Sequence, residues 1–310
     1  MRKFYSIYRN DILKGTRWIW LLVLIIWQQS FAQTGLSFLK IGVGGHATGL
    51  AEAYSAVVND PTATYWNPAA LCRIQQIEMN FSHNEWFQDV RSEFWALAIP
   101  RGKSVWGFSF NSTNIGGIEL RGEQPTPQPI GITEAHDLAV GISFSQAYSE
   151  RFSYGVTVKY LYEKIYIEET WGIALDGGLL YHTPIENLQL AVVMQNLGKM
   201  NKLWRQASKL PCLFRLGVGY RLPSFFWKDS WLLSLDYLWD INDEDHLNVG
   251  LEYEITDWLA MRLGYQTRYE IKDCHLGVGL KFSRYRLDYG YVPLQMNFGS
   301  GHRLSLGVKF

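Results

Sequence analysis

The chain has 310 residues, and its 29 basic and 29 acidic side chains give a formal net charge of zero. A neutral protein has no overall field that attracts a polyanion, so nucleic acid is not expected as a partner. Apolar residues make up 47% of the chain and charged residues 19%, which excludes a disordered protein. The mean hydropathy of -0.10 is too low for a bundle of membrane-spanning helices, so an integral membrane form of this chain is expected to be a β-barrel.

The N-terminus has the pattern of a secretory signal. Ten consecutive apolar residues, Trp18 to Trp27, follow a basic stretch, and the small residues Ser30 and Ala32 come next. This order predicts a signal peptide over residues 1–32, with cleavage after Ala32. An uncleaved anchor is the alternative, but the run is shorter than the roughly 20 residues that a spanning helix needs.

From residue 76 to residue 310 apolar and polar residues alternate with a period of two, which indicates strands with unlike faces. In one such segment Val156 and Val158 lie on one face, and Thr157 and Lys159 lie on the other. Fourteen strands are predicted, at 76–83, 92–100, 104–112, 136–147, 152–163, 172–182, 188–196, 212–222, 230–239, 246–254, 258–267, 275–282, 286–292 and 302–310.

The predicted strands and connections fit a transmembrane antiparallel β-barrel over residues 76–310. Most strands have the roughly 9 to 11 residues with which a tilted strand crosses a bilayer. Long and short connections mostly alternate, as they do in bacterial outer-membrane barrels, where short turns face the periplasm. An even number of strands then places both ends of the barrel in the periplasm, and the outer-membrane lipid becomes the solvent of the apolar face.

A soluble β-sandwich also has alternating strands, and two features argue against it. Aromatic residues gather near strand ends on the apolar face, as in the girdles of membrane barrels: Phe152, Tyr162, Tyr220, Trp239, Tyr253, Tyr265 and Tyr291. The last strand places Leu306, Val308 and Phe310 on one face and ends on the aromatic residue. Such a terminal strand resembles the signal that the barrel assembly machinery recognises, so this machinery is an expected partner.

Residues 33–75 lack the alternation and are predicted to form a hatch inside the barrel. Glycines recur on the polar face of the strands, at 141, 155, 217, 219, 250, 264, 277, 279 and 307, and leave room for another segment against the inner wall. Helical spacing predicts a helix over 46–58 after an N-cap at Thr48, and then two short turns that begin at Asp60-Pro61 and Asn67-Pro68. A small periplasmic subdomain is the alternative.

This segment carries a family resemblance. The run from Phe38 to Gly44, the Gly- and Ala-rich stretch to Tyr54, and the run from Asp60 to Leu71, which contains Tyr65-Trp66-Asn67-Pro68-Ala69-Ala70-Leu71, resemble the N-terminus of PorV/PorQ family proteins, a group similar to the FadL outer-membrane barrels. The resemblance implies a fourteen-stranded barrel with a hatch in the lumen, and a motif in which the hatch residues are Gly44, Gly45, Asp60, Pro61, Trp66, Asn67 and Pro68. It also implies a link to type IX protein secretion.

Neither a catalytic motif nor a cofactor motif is recognisable. No nucleophile frame, phosphate-binding loop or dinucleotide fingerprint stands in a strand-to-helix context, so a non-enzymatic protein without a cofactor is predicted. Cys72, Cys212 and Cys274 are an odd number and far apart, which predicts free thiols. No metal site is predicted, although a rim site among the histidines near the outer strand ends, and an outer-membrane hydrolase, are open alternatives.

Two functions fit this outer-membrane barrel. The first is a scaffold associated with type IX-like secretion, whose outer loops bind secreted cargo or secretion components, with Lys199, Lys202, Arg205 and Lys209 as candidate contacts. Residues 125–129 are a second candidate loop. The alternative is a FadL-like channel that admits hydrophobic small molecules past the hatch.

Overall fold

The computed structural model describes residues 35–87, 89–122, 127–203, 206–222, 230–241, 244–269 and 271–310. The predicted signal peptide therefore lies outside the described residues and stays a prediction. Arg205 and residues 125–126 also lie outside them.

Within the described residues sixteen strands form, and fourteen of them close into one antiparallel barrel. The barrel strands are β1 (Glu78–Glu85), β2 (Val90–Arg101), β3 (Ser104–Leu120), β4 (Gly131–Ala147), β5 (Phe152–Ile165), β6 (Glu168–His182), β7 (Leu188–Met200), β10 (Leu213–Leu222), β11 (Ser230–Asp240), β12 (His246–Thr256), β13 (Leu259–Gln266), β14 (Cys274–Phe282), β15 (Tyr285–Pro293) and β16 (Ser300–Lys309). A short hairpin of β8 (Lys202–Leu203) and β9 (Gln206–Ala207) stands between β7 and β10, which pair with each other. The fourteen-stranded barrel predicted from the sequence is confirmed.

The barrel closes between its first and last strands. In the antiparallel register of β1 and β16, Met79 faces Val308 and Phe81 faces Leu306. The backbone N–H of Phe310 donates to the carbonyl of Ile77 at 2.9 Å, so the last residue of the chain still takes part in closure. No free edge is left at this seam, which is the condition for a sheet that stands in lipid.

The two faces of each strand differ as the alternation predicts. On β5, Val156 and Val158 are 50% and 49% exposed on the outside, whereas Thr157 between them is fully buried on the inside. Exposed apolar side chains continue around the barrel, and charged side chains such as Arg215, Asp236 and Asp288 are buried inside it. This distribution is that of a barrel with an apolar outer surface and a polar interior.

Strands β3 and β4 are longer than the sequence predicts. Their pairing continues to Leu120 and Gly131 beyond a register shift between Ile115 and Ile118. Gly117, inside the shift, has a φ of +70°, a conformation that glycine adopts readily. The bulge changes which residues face outward, so a search for strict alternation ends the strand too early.

Four short helical elements precede β1: a 3-10 helix (Ser37–Lys40), α1 (Gly45–Gly49), α2 (Ala63–Trp66) and a second 3-10 helix (Pro68–Arg73). Helix α1 packs against β13 to β16, and the second 3-10 helix packs against β3 to β6 on the far side of the barrel. The segment therefore lies across the lumen, as the sequence predicts for a hatch. None of the helices in the described part of the chain is both long and apolar enough to cross a membrane.

The single helix predicted over 46–58 is wrong. Helix α1 ends at Gly49, and Ala51 and Glu52 follow with φ values of +51° and +62°, which no α-helix contains. Thr48 lies inside α1 and donates its hydroxyl to the carbonyl of Gly44 at 2.9 Å, so it is not the N-cap. The helical spacing of small residues here reflects close packing against the wall, since the whole stretch is buried.

Candidate functional site

The contact surface between the hatch and the inner wall of the barrel is the candidate functional site. Trp66 stands at its centre and is fully buried. Its indole N–H donates to the carbonyl of Val43 at 3.0 Å, and the guanidinium of Arg215 from β10 lies 5.0 Å from the centre of the ring. The tryptophan therefore joins two parts of the hatch and also contacts the barrel wall.

Glycines of the wall make room for the hatch. The sequence predicts this for nine positions, and at six of them the structure places the hatch against the glycine. A Cβ at Gly250 would lie 2.7 Å from the carbonyl oxygen of Leu50, and a Cβ at Gly277 would lie 2.7 Å from the Cα of Gly49. The other four that face the hatch are Gly155, Gly217, Gly219 and Gly264. Gly141, Gly279 and Gly307 instead face other wall side chains, so they do not form part of this contact.

A network of charged groups fixes one side of the hatch to β12–β15. On the wall, Arg262 donates to Glu252 at 2.6 Å and to Asp288 at 2.8 Å, and Arg286 lies 2.7 Å from the second oxygen of Asp288. From the hatch, His46 lies against Glu252, and Asp60 lies 3.6 Å from Arg286.

The hatch groups of this network contact the wall and also each other. The Nε2 atom of His46 lies 2.7 Å from a carboxylate oxygen of Glu252, and its Nδ1 atom lies 2.9 Å from the hydroxyl of Tyr54. Tyr54 donates to Asp60 at 3.0 Å. Burial raises the pKa of Asp60, although the side chain and the N–H of Thr62 both donate to its carboxylate.

A second charged contact holds the middle of the hatch. Glu52 lies 3.3 Å from Nη1 of Arg303 and 4.0 Å from Nζ of Lys272. Burial alone raises the pKa of a carboxyl group, but Lys272, Arg303 and Arg215 outweigh it and lower the pKa of Glu52 to about 2. Arg303 also donates to the hydroxyl of Thr48 at 2.8 Å. The strained backbone at Ala51 and Glu52 is held in place by these contacts.

Asn67 closes the far end of the hatch. Its side-chain oxygen accepts from the N–H of Ala69 at 3.0 Å, which caps the second 3-10 helix with Pro68 at its first position. Its side-chain N–H₂ donates to the carbonyl of Ser55 at 2.9 Å. Gly178 of β6 lies against the same side chain, so Asn67 links two turns of the hatch where they meet the wall.

The hatch leaves a cavity at each end of the barrel. The outer cavity has a volume of about 270 Å³ and lies at the end that carries the long connections 201–212 and 267–273. Its charged lining consists of Lys40, Glu52, Arg215, Asp240, Lys272 and Arg303. The inner cavity, about 240 Å³, lies at the short-turn end beside Asn59, Asp60 and Pro61. Hatch residues thus line part of both cavities.

The other residues of the predicted motif are also in the hatch. Gly44 has a φ of +88°, and Gly45 donates its N–H to the hydroxyl of Ser305 at 2.7 Å. Pro61 lines the inner cavity. No signal in the sequence points to Glu52, Lys272 or Arg303, because a single charged residue does not indicate which distant residue is its partner.

The predicted assembly and loop residues lie on the surface. Leu306 and Phe310 are 43% and 63% exposed on the outer face of β16, and Val308 lies partly buried on the same face. Lys199, Lys202 and Lys209 are exposed at the long-connection end of the barrel, apart from the cavities. No cluster of three potential ligands for a metal exists among the described His, Cys, Asp and Glu residues.

Comparisons with known proteins relate the chain to outer-membrane channels by fold. The model of an uncharacterised protein family, UPF0164, matches residues 26–165. No curated protein sequence matches the chain. The structure of TodX, a toluene transporter of Pseudomonas putida, is similar with a TM-score of 0.60 and 12% identity, over 86% of this chain and 97% of TodX.

The structure of CymD, a monoaromatic hydrocarbon channel, is similar with a TM-score of 0.59 and 13% identity, over 90% of this chain and 99% of CymD. At this level of identity the likeness concerns the fold alone, and it agrees with the barrel predicted from the sequence. The matching family model does not name the PorV/PorQ family, so the finer resemblance has no support from these comparisons.

Proposed function

We propose that the protein is an outer-membrane channel for small hydrophobic molecules and that the hatch is its gate. The observation that carries this proposal is the hatch itself, which crosses the lumen and leaves a cavity at each end. A molecule that enters the outer cavity reaches the inner cavity only when the hatch shifts. The barrel supplies the path through the membrane, and the hatch determines when the path is open.

The chemistry of the hatch contacts suits a gate better than a permanent plug. Apolar packing usually stabilises a protein at least as well as buried ion pairs, because burying charges has a large desolvation cost. Here discrete polar contacts between hatch and wall, such as Glu52 with Arg303 and His46 with Glu252, add to the apolar packing of the hatch. A movement that brings water to these groups recovers their hydration, which lowers the free-energy cost of opening.

The similar structures support a channel over a secretion scaffold. TodX and CymD are described as a toluene transporter and a monoaromatic hydrocarbon channel, and the chain covers 97% and 99% of their lengths. By contrast, the role in type IX-like secretion rested on the PorV/PorQ resemblance alone. We therefore prefer a hydrophobic small molecule as the partner.

Uptake of radiolabelled toluene by bacterial cells tests the proposal, because the lipopolysaccharide surface of the outer membrane slows apolar molecules. Cells that produce the protein should take up toluene faster than cells without it, while uptake of a polar solute such as sucrose should be the same in both. Equal toluene uptake, with the barrel shown to be folded in the outer membrane, would contradict the channel.

A further inference from the structure

Among the described residues, the lining of the outer cavity carries more positive than negative charge. Lys40 of its lining pairs with Asp240, since Nζ lies 2.5 Å from the carboxylate. Nη1 of Arg215 lies 4.0 Å from a carboxylate oxygen of Asp236. This buried Nη1 atom has no hydrogen-bond partner among the described residues. Neither ion pair includes Glu52.

Two further cations share one carboxylate. Arg303 and Lys272 lie 3.3 Å and 4.0 Å from the same oxygen of Glu52. Within the described residues, the four cations of the lining therefore have three carboxylate partners: Asp240 and Glu52 of the lining, and Asp236 beside Arg215. One positive charge is left over, and it lies at the Arg303–Lys272 side of the cavity.

Of the two cations that share Glu52, Lys272 lies farther from the carboxylate. Its side chain is 14% exposed, and its ammonium lies 4.3 Å from the ring centre of Tyr269. Burial lowers the pKa of Lys272, Glu52 raises it, and the nearby charges of Arg303 and Arg215 lower it further. An anion beside Lys272 would therefore offset the repulsion from Arg303 and Arg215.

The rest of the lining suits a single ring. The cavity of about 270 Å³ is larger than the roughly 150 Å³ of an apolar cavity that holds benzene, so a ring with one small substituent fits. Besides its charged groups and the polar Ser37 and His246, its described lining is apolar and aromatic: Ile41, Trp86, Leu213, Leu238, Tyr269 and Ile271. A cavity with an apolar wall and one excess cation is matched by a flat apolar molecule with one negative charge.

We propose that the outer cavity binds a small aromatic monocarboxylate, with its ring among the apolar walls and its carboxylate beside Lys272 and Arg303. This inference rests on the proposed function, since the outer cavity is the first compartment of the path. It adds aromatic monocarboxylates to the small hydrophobic molecules that the path admits. The carboxylate also competes with Glu52 for Arg303, so binding weakens one contact that holds the hatch.

Calorimetric titration of the purified protein in detergent tests the proposal with three probes. Benzoate has the ring and the charge, benzyl alcohol has the ring alone, and acetate has the charge alone. Benzoate should bind at least about tenfold more tightly than either of the others, a difference of about 1.4 kcal/mol. Equal affinity for benzoate and benzyl alcohol would overturn the role of charge, and equal affinity for benzoate and acetate would overturn the role of the ring.

Variants of Lys272 locate the site. Lys272→Met should weaken benzoate binding by about tenfold or more and leave benzyl alcohol binding unchanged, whereas Lys272→Arg should keep benzoate binding. Lys281→Met is the matched control, because Lys281 lines the inner cavity instead. Unchanged benzoate binding in Lys272→Met would overturn the site. Toluene uptake without benzoate binding would refute this inference and leave the proposed function standing, whereas benzoate binding without toluene uptake would do the reverse.

Discussion

Gly49 of the hatch lies directly against Gly277 of β14, so that a Cβ added at Gly277 would come within 2.7 Å of the Cα of Gly49. Two backbones meet here without a side chain between them. The contact holds α1 against the wall, and a side chain on either glycine must push the hatch away or distort the strand.

We expect Gly277→Ala to open the channel partly. Overpacking at a close contact costs about 1 to 3 kcal/mol, which corresponds to an increase of about 5- to 150-fold in the open population if the barrel keeps its shape. Conductance of the purified protein in planar bilayers measures this. Gly307→Ala is the control, because the atom nearest to its Cβ lies 3.6 Å away, at ordinary contact distance. Equal conductance in the two variants would mean that the glycine contact does not hold the hatch.

Asn67→Ala should loosen the other end of the hatch. The substitution removes the cap of the second 3-10 helix, worth about 1 kcal/mol, and leaves the buried carbonyl of Ser55 without its donor, at a cost of about 1 to 3 kcal/mol. Conductance should rise while the barrel keeps its heat-modifiable migration in detergent gels. Asn67→Asp keeps the acceptor for Ala69 but places a buried carboxylate oxygen against the carbonyl of Ser55, so it should open the hatch at least as much as Asn67→Ala. A closed Asn67→Ala protein would show that this turn does not restrain the hatch.

The contact of Glu52 with Arg303 should resist acid. Because the pKa of Glu52 falls from 4.5 to about 2 in the closed hatch, the ionised carboxylate stabilises that state at pH values above 4.5. This contribution decreases only as the pH falls from 4.5 toward 2. We expect Glu52→Gln to conduct more than the wild type by a constant factor between pH 7 and pH 4.5, and the two proteins to converge below that range. If the conductances of the two proteins became equal already above pH 5, the ion pair of Glu52 would not stabilise the closed hatch.

Phe310 should matter for assembly rather than for gating. Its backbone takes part in closure with Ile77, and its side chain is 63% exposed on the outer face. Deletion of Phe310 should lower the amount of folded barrel in the outer membrane, whereas Phe310→Leu, which keeps an apolar side chain there, should lower it less. Folded protein at the wild-type level after the deletion would show that the last residue is incidental.

The sequence predicts the barrel well because each strand is specified locally. The alternation of Val156, Thr157 and Val158 is visible in any window of a few residues, and the structure places these side chains outside, inside and outside. The prediction of strand ends was weaker where a bulge interrupts the alternation, as between Ile115 and Ile118.

The hatch is harder to predict from the sequence, since its conformation depends on contacts with the wall. Ala51 and Glu52 have positive φ values that local propensity disfavours, and Arg303, some 250 positions later, provides the partner of Glu52. Asn67-Pro68 was predictable, because a capping side chain before a proline acts within three residues. The sequence thus indicates the hatch and its last turn, and the structure supplies its contacts.

A disulfide between hatch and wall tests the gate most directly. A Cβ at Gly219 of β10 would lie 3.8 Å from the Cβ of Val57, which matches the mean separation of about 3.8 Å in disulfides. Val57→Cys with Gly219→Cys, in a chain whose native Cys72, Cys212 and Cys274 are replaced by serine, should form this bond when oxidised. Val57→Cys alone in the same background is the control for the redox treatment.

Uptake of labelled toluene by cells that produce the double-cysteine protein is then measured before and after treatment with dithiothreitol. The oxidised protein should show the uptake of cells without the barrel, and reduction should restore the rate of the single-cysteine control. Uptake at the control rate by the oxidised, fully cross-linked protein would contradict a path that opens by movement of the hatch.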